Sequence, residues 1–382
     1  MKMSFFKRFT DRVCESDLFD FNLKYLYYVG LWPREDWPKY KQILYKIYEF
    51  KLHLLSITFI VITGIGTYQQ RNNVIMLMTN LDKTLVGYNF VLKIFFFVMK
   101  REKLNVLINE IKNSGDKVSD DRKTLMAIHV IFITFISTAL VSAFSLLSQY
   151  KAEMTVEAWM PFDPFKDRMS LLMAAQILAI CFVVPCLYRA FAMQGIVCSI
   201  IMYFCDQLLH LQGNLKKLGN TKHNEMQARK EFKGIVKKHV RLMRYTKTFT
   251  EIFKEFFLIQ NLAVTIELCL NALMVTVVGL DEKTLLASFL TFLGLALFNA
   301  YIFCYLGDEL IILSTGIAQA AYESEWTSWP IDMQKDLLII IKVAQRPLKL
   351  SAGGMAIMCI QTYSQALYNA YSIFAVLNDV VD

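Results

Sequence analysis

Charged side chains are scarce in this sequence of 382 residues. Asp, Glu, Lys and Arg make up only 19% of it and hydrophobic residues 55%, and the mean hydropathy is +0.38. Soluble domains carry roughly 25% charged and about 45–50% apolar residues. The stretches without charge recur along the chain, and each is near the ~20 residues that cross a bilayer. This pattern excludes a purely water-soluble protein and indicates one membrane domain.

Signatures of catalytic and metal sites are also missing. No Cys-x-x-Cys pair exists, and the five histidines show no metal-ligand spacing. The eight cysteines fall within the apolar segments or on their cytosolic side, so no extracellular pair is available for a disulfide. No apolar segment pairs His with Glu or two Asp, as an intramembrane enzyme requires. We therefore expect a protein that is not an enzyme and has no catalytic residue, no metal and no cofactor.

Seven transmembrane helices are predicted from apolar runs separated by charged breaks. The runs lie near residues 42–66, 74–99, 124–150, 169–213, 248–280, 284–313 and 352–378. Segment 1–41 precedes them; it lacks the apolar core and cleavage site of a signal peptide, and we expect it to be retained. In the last part of the chain, Pro347 and the pair Gly353-Gly354 predict a break between two halves of the final helix.

Basic residues alternate between the two sides of these helices. Segment 1–41 holds eight Lys or Arg, the first outer connection only Arg71, and the stretch 216–254 twelve. The positive-inside rule then predicts a cytoplasmic N-terminus and an extracellular C-terminus, the reverse of a G-protein-coupled receptor, so we expect no G protein. The net charge of +8 belongs to loops beside anionic membrane lipid and gives no support to nucleic-acid binding.

Two of the predicted helices are too long for the membrane. The fourth apolar segment, 169–211, would be on the order of 60 Å long as a helix, about twice a bilayer core. The basic segment 222–257 keeps a helical spacing of apolar residues, which extends the fifth helix inward: Phe232, Val236, Val240, Met243, Phe249, Phe253 and Phe257. These extensions predict a helical bundle in the cytoplasm.

Specific motifs lie in the C-terminal third of the chain. In order they are Phe303-Cys304-Tyr305-Leu306-Gly307, Ser314, Ala321-Tyr322, Trp326, Ala344-Gln345-Arg346-Pro347, Ala352-Gly353-Gly354, Thr362-Tyr363-Ser364 and Ala370-Tyr371-Ser372-Ile373-Phe374; Val29-Gly30-Leu31-Trp32-Pro33 stands near the start. This series resembles the insect odorant receptors. Outside these motifs, the chain agrees with that family only in length and topology.

The resemblance implies an odorant-gated cation channel of four subunits in the plasma membrane of olfactory dendrites. We expect residues 1–41 to form the cytoplasmic segment and 42–313 to form helices one to six with their cytosolic extensions. Residues 314–350 are expected to form the cytosolic half of helix seven, and 351–382 its pore-lining half. The chain lacks the long insertion of the family's co-receptor. It is therefore expected to be a tuning subunit, with the co-receptor, membrane lipid and a small volatile as partners.

The pore face of the final helix has two candidates. One stripe is Tyr363, Leu367, Tyr371, Phe374 and Asn378, and the other is Gln361, Gln365, Tyr368 and Ser372. Polarity alone favours the second, because side-chain dipoles replace lost hydration, whereas the family pattern places the gate on the first, where an apolar constriction excludes water. Alternatively, both stripes pack against spans five and six. We predict pore and gate residues at Tyr371, Phe374, Leu377, Asn378 and Gln365.

The resemblance also implies a ligand site for small volatiles in the outer half of spans two, three, four and six. Such a site should be a dry pocket with few polar groups. The residues that we predict there are Leu81, Thr84, Ser142, Ser145, Leu146, Met173, Ile177, Ile180, Phe289 and Phe292. Each of them alone is also explained by ordinary helix packing, so the set defines a region.

Ionisable residues at membrane depth are further functional candidates. We expect Lys93 and Arg189 to extend from the inner ends of their spans to the headgroups. Glu267 lies well inside the fifth span and is expected to face the bundle interior or a water path. Asp308 and Glu309, at the end of the sixth, are expected either at the cytosolic mouth of a pore or as solvated caps of the helix end.

Two other functions stay open. A gustatory receptor is also a seven-span channel, but its last helix usually ends in Thr-Tyr-x5-Gln-Phe, whereas Thr362-Tyr363 is followed here by Ala370-Tyr371-Ser372. A small-molecule membrane transporter would show inverted repeats with broken helices in both halves, and this sequence shows one break, near Pro347.

Overall fold

The computed structural model of the chain describes residues 17–34, 37–218, 225–278 and 283–381. Within these ranges the helices are α1 (Asp20–Tyr28), α2 (Lys39–Gln69), α3 (Val74–Lys112), α4 (Asp120–Lys151), α5 (Arg168–Phe182), α6 (Arg189–Lys217), α7 (Glu225–Val278), α8 (Lys283–Tyr322), α9 (Ile331–Ala344) and α10 (Ile360–Val381). A π-helical turn, Val183–Tyr188, joins α5 to α6, and a 3-10 turn, Trp326–Ser328, precedes α9. Two short strands, β1 (Ser351–Ala352) and β2 (Ala356–Ile357), form an antiparallel hairpin.

The chain is an all-α membrane protein with seven transmembrane helices, as the sequence predicts. They are α2, α3, α4, the α5–α6 unit, α7, α8 and α10. Four segments in the described part of the chain are long and apolar enough to cross a membrane by composition alone: Lys39–Gln69, Asp120–Lys151, Arg168–Lys217 and Leu293–Tyr322. Helix α3 carries Asp82, Lys83 and Lys93 within its apolar part, which lowers its hydropathy.

The α5–α6 unit forms the centre of the fold. Every residue from Arg189 to Leu208 is buried, because α6 is surrounded by α1, α3, α4, α7 and α8. Pro185 lies in the π-helical turn. Because proline has no N–H, one backbone hydrogen bond of the helix is missing there. The hydroxyl of Ser56 on α2 donates a hydrogen bond to the carbonyl oxygen of Pro185 at 3.0 Å and fixes the turn against its neighbour.

The cytosolic parts of α6, α7 and α8 pack together with α9, which matches the predicted bundle. The rings of Phe249 and Phe253 of α7 pack at a tilt of 47°, with centroids 4.8 Å apart, and Phe249 meets Phe204 of α6 edge to face. Val240 is 61% exposed, unlike the prediction. The buried face of α7 contains Leu242 and Tyr245 instead. A helix has 3.6 residues per turn, so residues spaced four apart move gradually away from the buried face.

The final helix begins at Ile360, later than the predicted residue 352. The intervening residues form the β1–β2 hairpin, in which Gly353 and Gly354 adopt positive φ angles of 63° and 79°, a conformation that residues with a Cβ rarely adopt. The amide of Gly353 donates to the carbonyl oxygen of Lys254 at 2.9 Å, so the hairpin is attached to α7.

Candidate functional site

A cavity lies between the transmembrane helices. Its volume is about 590 Å³, within the roughly 300–1,000 Å³ of small-molecule sites. Its walls come mainly from α3, α4, α5, α7 and α8. Four of these five helices, α3, α4, α5 and α8, are the spans in which the sequence places the ligand site, and α7 adds a wall that it does not anticipate.

Aromatic and aliphatic side chains make up most of the cavity wall. Phe182 lies between Phe59 and Phe90, at centroid distances of 5.1 and 6.4 Å, and Phe90 meets Phe191 edge to face at 5.9 Å. Gly87 on α3 lets the ring of Phe59 approach, because a Cβ at position 87 would collide with it. The cavity therefore offers a large aromatic surface to an apolar molecule.

A few buried polar atoms interrupt this apolar wall. Asn89 Oδ1, Gln194 Nε2, Glu267 Oε2 and Asn299 Oδ1 belong to residues that line the cavity and have no hydrogen-bond partner in the described part of the chain. Gln194 and Glu267 are only 4% and 3% exposed. Buried polar groups are nearly always hydrogen-bonded in folded proteins, so these atoms are available to a bound molecule or to water.

Glu267 belongs to a buried polar cluster between α3 and α7. Asp82 of α3 accepts a hydrogen bond from the amide of Asn271 at 3.3 Å, and the same amide donates to the backbone oxygen of Glu267 at 2.8 Å. Lys93 donates to the side-chain oxygen of Gln260. Asp82 and Lys93 are both near enough to Glu267 to interact with it electrostatically.

The prediction that Lys93 and Arg189 reach the headgroups is wrong. Lys93 is 3% exposed, and its ammonium lies 4.8 Å from the ring centroid of Phe256. Arg189 is fully buried and contacts the ring nitrogens of His53 at 3.1 and 3.5 Å. Both side chains find partners inside the bundle, because α6 and the middle of α3 are enclosed by other helices.

The predicted ligand residues occupy several different surfaces. Ser145 lines the cavity. Thr84 is fully buried and bonds to backbone oxygens of its own helix, while Leu81 and Ile177 are partly buried. Ser142, Leu146, Met173 and Ile180 lie on the exposed outer surface of the bundle. The side chains of Phe289 and Phe292 lie outside the described residues.

Neighbouring residues on the same helices provide the cavity wall instead. Val86 and Asn89 do so on α3, Val141 on α4, and Leu178 and Phe182 on α5. Hydrophobic periodicity does not identify the residues of these helices that face the cavity, because a helix that is apolar all round does not reveal which face is inside. Glu267 was visible in the sequence as an ionisable residue in a span, although not as part of the ligand site.

The last helix presents an exposed polar face. Gln361, Ser364, Gln365, Tyr368 and Asn369 are exposed along it, and Tyr371 is 69% exposed. The amide of Gln365 donates to Asn369 Oδ1 at 2.8 Å. Tyr363, from the stripe that the family pattern favours, packs against Tyr301 of α8 at 5.7 Å. The side chains of Phe374, Leu377 and Asn378 lie outside the described residues.

The C-terminal motifs connect α8 to the last helix. Phe303 packs edge to face on Phe256 and Phe257 of α7. One turn further, the backbone of Gly307 lies against the carbonyl of Met358, just before α10. Ser314 accepts a hydrogen bond from the amide of Leu348 at 3.0 Å. These contacts connect the cavity helix α8 to the start of α10.

Two acidic residues lie at the inner end of α8, and Asp308 is half-buried there. Glu309 accepts a hydrogen bond at 2.6 Å from Arg122 of α4, so it joins two helices rather than capping α8 in solvent. Among the residues that the structure describes, no group of three or more His, Cys, Asp or Glu side chains is placed to hold a metal ion.

Comparisons with known proteins agree with this architecture. The family model described as 7tm Odorant receptor matches residues 73–371. Odorant receptor 85f of Drosophila melanogaster is 26% identical over 185 residues, covering 47% of each chain. Odorant receptor 49a of the same species is 31% identical over 150 residues, covering 39% of this chain and 37% of its own. The chain thus spans half or less of the length of these curated relatives.

A solved structure is similar over nearly the whole chain. It is the insect olfactory receptor OR5 from Machilis hrabei in complex with eugenol, with a TM-score of 0.77, 16% sequence identity and 98% of both chains covered. A second structure of the same receptor gives a TM-score of 0.77 over 94% of this chain. At this identity the likeness concerns the fold.

Proposed function

This chain belongs to the 7tm odorant receptor family of insects, and from that premise we propose that it is the ligand-tuning subunit of an odorant-gated, non-selective cation channel. A small volatile binds in the cavity between α3, α4, α5, α7 and α8. Its binding opens a central pore that α10 lines together with the same helix of the other subunits.

The observation that carries this proposal is the exposed polar face of α10. In the described part of the single chain, the side chains of Gln361, Gln365 and Tyr368 on this membrane helix are exposed. Contact of such groups with lipid tails is costly, because no water is present there to bond them. A water-filled pore between subunits satisfies them, and side-chain dipoles of this kind replace part of a cation's hydration shell.

The link between the two sites runs through the C-terminal motifs. Leu290, Gly294 and Phe298 line the cavity on α8, and Tyr301, Phe303 and Gly307 follow on the same helix. A ligand that favours one position of α8 is thus coupled to the hairpin and to α10. The free energy by which the ligand shifts the equilibrium toward the open pore equals the difference between its binding free energies for the closed and open positions of α8.

Assembly with other subunits is supported by the cytosolic bundle. Helix α9 exposes Ile331, Leu338 and Ile339 at 70%, 65% and 62%. Exposed apolar patches of this kind mark protein–protein contacts. We assign this face to the contact between subunits in a tetramer that also contains the odorant receptor co-receptor, located in the plasma membrane of the sensory dendrite.

Whole-cell current in cells that express this chain with and without the co-receptor tests the proposal. A panel of small volatiles, eugenol included, is applied while G-protein signalling is blocked. A cation current that starts within seconds and persists under the block is expected. Absence of current, despite labelled receptor at the cell surface, would contradict the channel function and favour a transporter instead.

A further inference from the structure

We propose that the cavity selects a neutral volatile that carries a hydroxyl group, an alcohol or a phenol, and that Glu267 is the residue that recognises this hydroxyl. The inference deepens the proposed function and rests on it, since the cavity is the odorant site assigned above. It adds a chemical class of ligand and a specificity-determining residue on α7, a helix that the sequence analysis leaves out of the ligand site.

Glu267 is a buried residue of the cavity wall. It lies on the cavity wall with Gln260, Ala263 and Val264, which precede it at helical spacing on the same face of α7. Its side chain is only 3% exposed, and its Oε2 has no hydrogen-bond partner in the described part of the chain. A buried acceptor without a partner is unfavourable, so a ligand that donates to it gains affinity.

Most of the polar atoms without a partner in the described cavity wall are hydrogen-bond acceptors. Three of the four in the cavity wall are acceptors, namely Asn89 Oδ1, Glu267 Oε2 and Asn299 Oδ1, and one is a donor, Gln194 Nε2. A hydroxyl group donates one hydrogen bond and accepts others. Ethers, ketones and hydrocarbons have no donor, so they leave the acceptors unsatisfied.

The charge next to Glu267 argues for a neutral donor. The ammonium of Lys93 is buried beside it and interacts with it electrostatically. Asp82, also near Glu267, interacts with Lys83 of the cavity wall, so two carboxylates already face two ammonium groups. An amine ligand would add an unpaired cation to this low-dielectric site. The remaining wall, with Phe90, Phe182 and Phe191, receives the apolar body of the molecule.

A pair of isomers isolates the hydroxyl group experimentally. Octan-1-ol and heptyl methyl ether have the same atoms and similar length, and only the alcohol has an O–H donor; octan-1-amine serves as the cationic comparison. Cells expressing the chain with the co-receptor are tested with all three. The alcohol should activate at a concentration about ten-fold lower than the ether, because its hydroxyl satisfies a buried acceptor that the ether leaves unpaired.

Two substitutions and one control assign the preference to Glu267. Glu267→Leu removes the acceptor and should abolish the difference between alcohol and ether. Glu267→Gln keeps one oxygen and adds an N–H donor, so the ether should gain relative to the alcohol. Glu251→Gln changes the same group on the same helix, but Glu251 is solvent-exposed and paired with Lys254, so the preference should be unchanged.

The possible results distinguish a failure of this inference from a failure of the proposed channel function. Equal sensitivity of the wild type to both isomers, or a preference that persists in Glu267→Leu, would overturn the inference while the channel function stands. A stronger response to the amine than to the alcohol would also overturn it. If no volatile of any class evokes current, the proposed function itself fails. Should Glu267→Leu not reach the surface, the isomer pair on wild type and on Glu267→Gln still decides.

Discussion

The backbone of Gly307 on α8 lies directly against the carbonyl oxygen of Met358, at the point where the hairpin leads into the last helix. A methyl group at position 307 would collide with that oxygen, and backbone atoms cannot rotate away as a flexible side chain does. The glycine of the family motif is therefore explained by a close approach between two chain segments. This approach fixes the start of α10 relative to the cavity.

Replacing Gly307 with alanine should destabilise the fold and weaken gating. The added Cβ displaces the hairpin, and overpacking of this kind costs about 1–3 kcal/mol. Thermal melting of the purified receptor in detergent gives the loss of stability, and volatile-evoked current gives the loss of coupling. Gly234→Ala is the matched control: no atom lies near its Cβ position, so higher helix propensity should raise stability by up to ~1 kcal/mol. Equal melting of both variants would contradict the packing argument.

The cytosolic carboxylate of Asp116 should make stability depend on pH. Its burial raises the pKa, but the hydroxyl of Tyr203 at 2.8 Å and the charges of Lys238 and Arg241 outweigh this, so that the pKa of Asp116 lies below its ordinary value. The folded state thus favours the carboxylate form. Its stabilisation is complete above the ordinary Asp pKa of about 4 and is lost as the pH falls through the lower pKa of the folded state.

The variant Asp116→Asn provides the measurement of this dependence. Its melting temperature should be below that of the wild type at pH 7, with about 1–3 kcal/mol of stability lost. The difference should shrink as the pH is lowered below about 4. Asp121→Asn, an exposed residue at the start of α4, serves as the control. A constant difference from pH 7 to pH 3 would show that the charge of Asp116 is not responsible.

Filling the cavity should change which volatiles activate the channel. Ala263 is a buried residue of the wall, and Ala263→Phe should raise the activating concentration of bulky volatiles about ten-fold, since overpacking costs ~1–3 kcal/mol. Single-channel conductance should stay unchanged, because the pore is elsewhere. Ile180→Ala alters a residue that is 61% exposed and should have no effect on selectivity. A selectivity change in Ile180→Ala alone would favour the helix face predicted from the sequence.

The family resemblance places the gate at Phe374, which by helical spacing belongs to the opposite face of α10 from Gln365. This alternative to the polar pore face predicts a leak. In Phe374→Ala the apolar constriction widens and admits water, so basal current without any volatile should rise. Holding current in the absence and presence of a pore blocker measures this leak. Phe135→Ala removes the same group from an exposed position on α4 and should leave basal current unchanged. Unaltered holding current in Phe374→Ala at normal surface expression would place the gate at another residue.

Sequence patterns were sufficient for the helices and their order, because apolar runs and basic loops are set by the membrane itself. The break at Pro347 and Gly353-Gly354 is confirmed, although the hairpin that it forms was not predicted. Interior faces were harder to assign. Met173 and Ile180 are as apolar as Leu178 and Phe182, and lipid accepts such residues as readily as a protein core does.

Buried charges show the same limit. Arg189 and Lys93 were assigned to the headgroup region from their position in the chain, yet each is enclosed by helices distant in sequence. Their partners, His53 and Gln260, are more than a hundred residues away, a contact that one sequence does not reveal. Glu267 was recognised from the sequence because an isolated carboxylate in a span is unusual in any topology.

The measurement that tests the pore assignment most directly is the reversal potential of the volatile-evoked current in Gln365 variants. If α10 lines the pore, Gln365→Glu should increase the permeability of cations relative to anions and Gln365→Lys should decrease it, so the reversal potential moves in opposite directions under a salt gradient. The same current with the same reversal potential in wild type and both variants, at normal surface expression, would contradict a pore lined by this face of α10.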